Sequence, residues 1–247
     1  MSLLLVSGTG TGVGKTVVTA ALAATAWAAG RTVSVVKVAQ TGVQPGEAGD
    51  LAEIARLSGL DAAAMHEPAR YAAALSPAAA ARLEGRAGPS LPQVQALVRG
   101  LTGDSDLVLV EGAGGLLVQY DGSGWTLADL ALGLTAPVLL VVDPGLGALN
   151  HTALSMEALT RRDLTCAGVV LGSWPVEPDQ PDLAARSNIA DLELIAGHPL
   201  AGALAAGSGR LEQDAFLVAA QAGLGPALGG RFDAADFRRI QGLAPGA

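Results

Sequence analysis

Short, almost unbroken apolar runs recur along the chain at residues 3–7, 32–37, 107–111, 138–142, 167–171 and 200–204. Runs of this kind suit parallel strands covered on both faces, because neither side of such a strand meets water. Between them lie stretches with helical spacing: 16–29 stopped by Gly30, 50–58 stopped by Gly59, 77–84, 91–101, 126–132, 150–161, 183–196 and 211–222. Strand–helix alternation predicts a single α/β domain, a doubly wound and mostly parallel sheet flanked by helices, with ligands at the carboxyl ends of the strands. The domain is expected to span 1–229, with 230–247 a C-terminal tail of unassigned role. Segments 41–49 and 174–182, the second with three prolines, read as loops, and there is no internal repeat.

Composition narrows the classes. With 247 residues and 50% hydrophobic content the chain can bury a full core. A net charge of −8 argues against nucleic acid as a partner, since that binding relies on a basic surface. One cysteine, Cys166, rules out an internal disulfide and a Cys-rich metal site. The opening Met1-Ser2-Leu3 has no basic leader region and no apolar run reaches spanning length, so a cytoplasmic protein with no membrane partner is expected.

Basic residues are distributed unevenly. Thirteen are arginine and only two, Lys15 and Lys37, are lysine. Lysine is a compact point charge on a flexible stem, whereas arginine is a planar fork, so these two positions are candidates for chemistry a guanidinium cannot serve. Lys15 lies in Gly8-Thr9-Gly10-Thr11-Gly12-Val13-Gly14-Lys15-Thr16, directly after the first apolar run, and Lys37 closes the second. Glycines let the loop turn its N–H groups toward a phosphate chain, and the following helix presents its positive end. Lys15 would reach the β/γ-phosphates and the Thr16 hydroxyl would bind Mg²⁺. The spacing is G-x5-G-K-T, one residue longer than the usual phosphate loop, and Val13 stands where a dinucleotide fingerprint needs its third glycine. A nucleoside triphosphate is therefore favoured, held by Gly12, Val13, Gly14, Lys15, Thr16 and Val17.

A second constellation, Glu111-Gly112-Ala113-Gly114-Gly115, ends the third apolar run. Its carboxylate could serve Mg²⁺ and its glycines allow a ligand close to the backbone, although the same residues could form a tight turn. Asp50 opens a helix after the 41–49 loop, where an aspartate most often serves as N-cap.

Taken in order, the glycine loop, Lys37-Val38-Ala39-Gln40-Thr41-Gly42, Asp50, Glu111-Gly112-Ala113-Gly114-Gly115 and Leu146-Gly147-Ala148-Leu149-Asn150-His151 resemble the dethiobiotin synthetases, from residue 2 to residue 222. The resemblance implies a P-loop NTPase-type fold and a homodimeric, Mg²⁺- and ATP-dependent cyclo-ligase of biotin synthesis. Such an enzyme forms the ureido ring of dethiobiotin from 7,8-diaminononanoate and CO2 (bicarbonate). One amine takes up CO2 as a carbamate, and the carbamate oxygen attacks the γ-phosphorus. The neighbouring amine then captures the carbamic–phosphoric anhydride, releasing phosphate. The resemblance makes Lys15 and Lys37 catalytic and Thr16, Asp50 and Glu111 the metal ligands. It adds Gly112, Ala113 and Gly114 to the nucleotide site, and Thr11 and Thr41 to the substrate site. Gly147, Ala148 and Asn150 would receive the substrate carboxylate across the dimer.

This chain departs from the family pattern at three places. No proline follows Lys37, and Gly172-Ser173-Trp174-Pro175 replaces the Asn-Asp carried by many members. Ala205-Ala206-Gly207 matches the second base-contacting segment only loosely. An asparagine can bond an adenine edge and a glycine cannot, so Gly172, Ser173, Ala205, Ala206 and Gly207 would hold the base through backbone groups, and other nucleoside triphosphates are expected to be accepted.

The remaining conspicuous residues have plainer readings. His66, His151 and His198 are too dispersed for a metal site, with His151 structural beside Asn150; Cys166 is a buried small hydrophobe and Trp27 packs in the first helix. Trp174 borders the base site, either packing or stacking, and Tyr71 with the 75–77 turn borders the diamine. Two other classes share part of the pattern. A partitioning or cell-division ATP switch usually has an extra lysine early in the loop, which is missing here. A cobalamin-type amidotransferase needs a glutaminase domain, for which the chain has no length.

Overall fold

The computed structural model of the chain describes residues 2–176 and 179–243. Residues 177 and 178 of the expected 174–182 loop, and the last four residues of the tail, lie outside that range. Seven strands form one sheet: β1 (Leu3–Gly8), β2 (Val33–Lys37), β4 (Met65–His66), β6 (Leu107–Gly115), β7 (Val138–Val142), β8 (Cys166–Trp174) and β9 (Gly202–Ala205). Their order is β4-β2-β6-β1-β7-β8-β9, and every pairing within it is parallel. A separate two-stranded piece joins β3 (Gln40–Thr41) to β5 (Arg70–Tyr71).

Helices cover both faces, which is why the central strands read as continuous apolar runs. On one face α1 (Lys15–Ala28) packs with α2 (Asp50–Ser58) and α8 (Gln213–Gly223), burying Leu22, Ile54 and Phe216. The alanine-rich sequence of α1 lets it lie close to the sheet and to both neighbours. On the other face α4 (Leu91–Asp104), α5 (Leu127–Leu134) and α6 (Ala148–Thr160) pack over Val108, Val110 and Val138. Alpha-helix α3 (Pro77–Leu83) begins at the turn after β5, and α7 (Leu183–Ala196) packs beside α6. After residue 229 the chain forms α9 (Ala234–Ile240), whose Phe237 meets Trp174 edge-on at 5.0 Å, while Arg238 pairs with Glu193.

The six apolar runs are all strands, but two continue past the apolar stretch. β6 takes in the glycines through Gly115 and β8 extends through Gly172 and Ser173 to Trp174. The two-residue strands β3, β4 and β5 were not expected; two residues carry no periodicity to read. α6 starts at Ala148, two residues before its expected beginning, with Gly147 as its left-handed cap at φ 94°. Trp27 is 47% exposed and so is not a packing residue, and His151 is exposed on α6. Cys166 is half-buried rather than buried, at the first position of β8. Trp174 is buried against α9, which commits its ring to packing.

Candidate active site

β1 lies at the centre of the sheet, where the chain first turns toward β2 on one side and later crosses to β7 on the other. Such reversals leave a crevice at the strand ends. The glycine loop leaves β1 there and enters α1 through Gly14, which adopts φ 95° and offers no side-chain cap. The first N–H groups of α1 therefore lack an internal acceptor and are available to an anion. A cavity of about 640 Å³ opens at this point.

Four charged side chains line it. Lys37 closes β2 and lies in register with Glu111 of β6, so the two point into the same space from adjacent strands. Its Nζ is 2.7 Å from Glu111 Oε1 and 2.5 Å from Asp50 Oδ2. Thr16 Oγ1 donates to the same Glu111 Oε1 at 3.0 Å. Lys15 Nζ donates to the Gly10 carbonyl at 2.7 Å, folding back on its own loop. Burial, followed by the charge of Lys37, lowers Lys15 to about 8 against a partial offset from Glu111 and Asp50. Burial also opposes the charge on Lys37, but the Glu111 and Asp50 carboxylates outweigh it and raise this lysine above its ordinary value. Lys37 therefore stays protonated, whereas Lys15 is poised to respond to an incoming anion.

Asp50 is the first residue of α2 and Gly49 the cap, so Asp50 does not cap the helix. Its backbone N–H instead donates to Gln40 Oε1 at 2.8 Å, and buried Gln40 ties the start of α2 to β3. Glu111 is fully buried, and its Oε2 has no hydrogen-bond partner among the described residues. A carboxylate with one orphaned oxygen, its other oxygen bonded by the Thr16 hydroxyl and sharing Lys37 with Asp50, fits a hard divalent cation such as Mg²⁺.

The strand end carrying Glu111 is held from behind. Ala113 N–H donates to the Tyr120 hydroxyl at 2.9 Å, and the Tyr120 ring stacks on Trp125 at 4.5 Å. Burial pushes the Tyr120 phenol up to about 12, so it stays neutral.

With this geometry in place, comparison with known proteins is decisive. The protein is 59% identical to the ATP-dependent dethiobiotin synthetase BioD of Parafrankia sp. (strain EAN1pec), over 97% of this chain and 98% of that one. It belongs to the dethiobiotin synthetase family. A BioD from Frankia casuarinae is 56% identical over 96% of this chain and 98% of its own, and one from Streptomyces coelicolor is 53% identical over the same shares. A family model described as an AAA domain matches residues 2–206. Among solved structures, a chain of the MinC:MinD cell division protein complex of Aquifex aeolicus overlays with a TM-score of 0.55 at 15% identity, covering 100% of this chain and 98% of that one. A ParA family ATPase from Chlorobium tepidum TLS gives 0.51 at 14%, with 90% of each covered. At such identity these share the fold alone, a P-loop NTPase sheet.

The residues singled out by the dethiobiotin synthetase resemblance fall into three places. Thr11, Gly12, Gly14, Lys15, Thr16 and Val17 line the cavity from the loop side. Lys37, Thr41, Asp50, Glu111, Ala113 and Gly114 line it from the strand side. Gly112 is part of the same β6 end, its carbonyl 3.3 Å from Lys37 Nζ, while the Val13 side chain is turned into the core. Gly172 on β8 lies against Val13 and Gly14 of the glycine loop, but Gly172, Ser173, Ala205 at the end of β9, and Ala206 and Gly207 after it are all outside the cavity lining. Gly147, Ala148 and Asn150 start α6 and do not line it either. Tyr71 is also outside, buried with its hydroxyl donating to Ala87 O at 2.9 Å, whereas Leu75, Ser76 and Pro77 do border the cavity. Sequence reasoning gave no role to Gln40, although it stands in the Lys37–Gly42 motif, and none to Tyr120, which no motif marks.

Proposed function

We propose that the chain catalyses ATP-dependent closure of the dethiobiotin ureido ring from 7,8-diaminononanoate and CO2, as a Mg²⁺-dependent homodimer in the cytoplasm. The observation that carries this reading is the convergence of two lysines, two carboxylates and a hydroxyl on one cavity at the mouth of a phosphate loop. Phosphoryl transfer needs little covalent help from the protein; positioning and charge stabilisation supply most of the acceleration.

The loop N–H groups and Lys15 would hold the triphosphate, with Lys15 leaving the Gly10 carbonyl for the phosphate oxygens. Thr16, Asp50 and Glu111 would hold Mg²⁺, which when bound neutralises charge on the transferring phosphoryl group. Lys37 enters from the opposite strand, so its ammonium can face the carbamate while Lys15 faces the γ-phosphate. The carbamate forms on one amine and its oxygen attacks the γ-phosphorus, with ADP departing. The second amine then attacks the carbamoyl carbon and phosphate leaves. Negative charge shifts from carbamate to phosphoryl oxygens in this sequence, and a mobile ammonium can follow it. Thr41 and the Ser76 turn border the space left for the diamine. The start of α6 does not line the cavity of its own chain, which leaves room for a carboxylate site completed by a second copy.

Phosphate release from Mg·ATP, measured with and without 7,8-diaminononanoate and bicarbonate, tests the reading. Release is expected only when both co-substrates are present. Steady hydrolysis that ignores the diamine would point to a switch ATPase instead.

A further inference from the structure

The four charged groups of the cavity, Lys15, Lys37, Asp50 and Glu111, cancel in formal charge. Within that neutral set the Lys37 ammonium bridges the two carboxylates, 2.5 Å from Asp50 and 2.7 Å from Glu111. Those carboxylates are the pair that a divalent cation would need at this loop. A cation cannot sit within coordinating distance of both while an ammonium stands between them, since like charges a few Å apart in a buried site repel strongly. The two occupants are not equivalent. Glu111 Oε2 finds no donor while Lys37 bonds Oε1, and a metal has uses for both oxygens.

We propose that Lys37 and the divalent cation are alternative occupants of one carboxylate pair, so that cation entry releases the Lys37 ammonium into the cavity. This rests on the Mg²⁺-dependent reading above. Two consequences follow from the geometry. A bare cation gains little from a charge-neutral cluster that already has its own counter-ion, so the cation enters with the nucleotide, whose phosphates supply the missing negative charge. Beyond the two carboxylates, Lys37 Nζ has only a 3.3 Å contact to the Gly112 carbonyl, so once displaced it is free on its flexible stem to meet an anionic substrate. Metal loading and the arming of Lys37 are then one event.

The test is Mn²⁺ binding to nucleotide-free protein, read from the electron paramagnetic resonance signal of free Mn²⁺. Lys37→Met is expected to bind Mn²⁺ at least about tenfold more tightly than wild type, because a unit positive charge beside the site is gone. Lys37→Gln, whose amide still gives Glu111 a donor, covers the case in which the methionine variant does not fold, and should show the same direction. Adding Glu111→Gln to either variant should erase the gain. Equal or weaker Mn²⁺ binding by both Lys37 variants overturns the competition. It does so without touching the metal reading, provided Glu111→Gln still weakens Mn²⁺ binding by nucleotide-loaded protein. If Glu111→Gln changes nothing there, the metal reading has failed and the competition with it.

Discussion

Lys37 and Glu111 are direct neighbours across β2 and β6, and Nζ meets Oε1 at 2.7 Å. This pairing puts the charge of residue 37 between Asp50 and Glu111 in the lining of the cavity. Lys37→Arg keeps the charge but spreads it over a longer, planar group that cannot occupy the same point. Dethiobiotin formation is expected to fall at least ~100-fold, the scale of one lost transition-state donor. Thermal stability should change far less, since an arginine can still pair with both carboxylates. Near-normal turnover by the variant would show that position matters less than charge.

The two carboxylates are held differently, and that difference predicts unequal effects. Glu111 is fully buried on a central strand, whereas the Asp50 side chain is 34% exposed at a helix start. Glu111→Gln should therefore damage Mg²⁺-dependent turnover more than Asp50→Asn, because a rigid ligand has no substitute pose. Metal-free nucleotide binding should survive both. If Asp50→Asn is the more damaging, the metal is anchored from α2 rather than from the sheet.

Tyr120→Phe tests the support behind Glu111. The change leaves the Ala113 N–H without its acceptor at a buried position, a cost of about 1–3 kcal/mol. A domain of this size should lose about 2–4 °C in Tm for each kcal/mol. Turnover should fall by more than nucleotide affinity does, because the strand end that loosens carries Glu111 and not the loop. A variant with unchanged Tm and unchanged kcat would show that the hydroxyl supports nothing.

The central strands were legible because each is buried on both faces and reads as an apolar run. Their glycine-rich ends were not: Gly112 to Gly115 and Gly172 to Ser173 carry no apolar signal, yet the ladder continues through them. Lys15, Lys37, Asp50 and Glu111 were found through motif and position, and the structure brings them to one cavity. Gln40 and Tyr120 escaped because their work is to accept a backbone N–H from residues 50 and 113. Such a bond leaves no trace in local spacing. Trp174 was ambiguous until its partner, Phe237, was placed by a helix more than sixty residues downstream.

Lys15 is expected to make nucleotide binding pH-dependent. Burial and Lys37 lower its folded value to about 8, well below that of the same lysine in the unfolded chain. Between those two values the unfolded chain binds the extra proton, so the Lys15 contribution to stability is least favourable below about 8 and improves as pH rises. Triphosphate binding has the opposite sign, since phosphates favour the charged form. Affinity should hold up to pH 8 or so and then fall by up to about tenfold per unit, with proton uptake on binding. Calorimetry in two buffers of different ionisation enthalpy checks it. A flat profile and no proton uptake would mean that Lys15 does not change protonation when the phosphates arrive.

The base should be read weakly. A Cβ on Gly172 would stand 2.0 Å from the Val13 carbonyl oxygen and 2.7 Å from Val141 Cγ1. A Cβ on Gly14 would likewise meet the Gly172 carbonyl at 2.6 Å. The phosphate loop therefore uses the space that a base-reading side chain at 172 would need. If the base is held where the family resemblance implies, the backbone groups of Gly172 and Ser173 and of residues 205–207 would meet it without a side-chain amide at position 172. Trp174 is buried against α9, its ring committed to Phe237, so it is not expected to stack on the base. Forgoing a bidentate Asn–adenine contact removes ~1–3 kcal/mol of discrimination, by analogy with the same pairing in nucleic-acid recognition. The triphosphate contacts at Lys15 and Thr16 do not depend on the base. CTP, GTP and UTP should accordingly support turnover within about tenfold of ATP, tenfold being ~1.4 kcal/mol. Initial rates with the four triphosphates at equal, subsaturating concentration decide the matter. A preference for ATP above about a hundredfold, or ~2.8 kcal/mol, would require a group that reads adenine elsewhere in the chain.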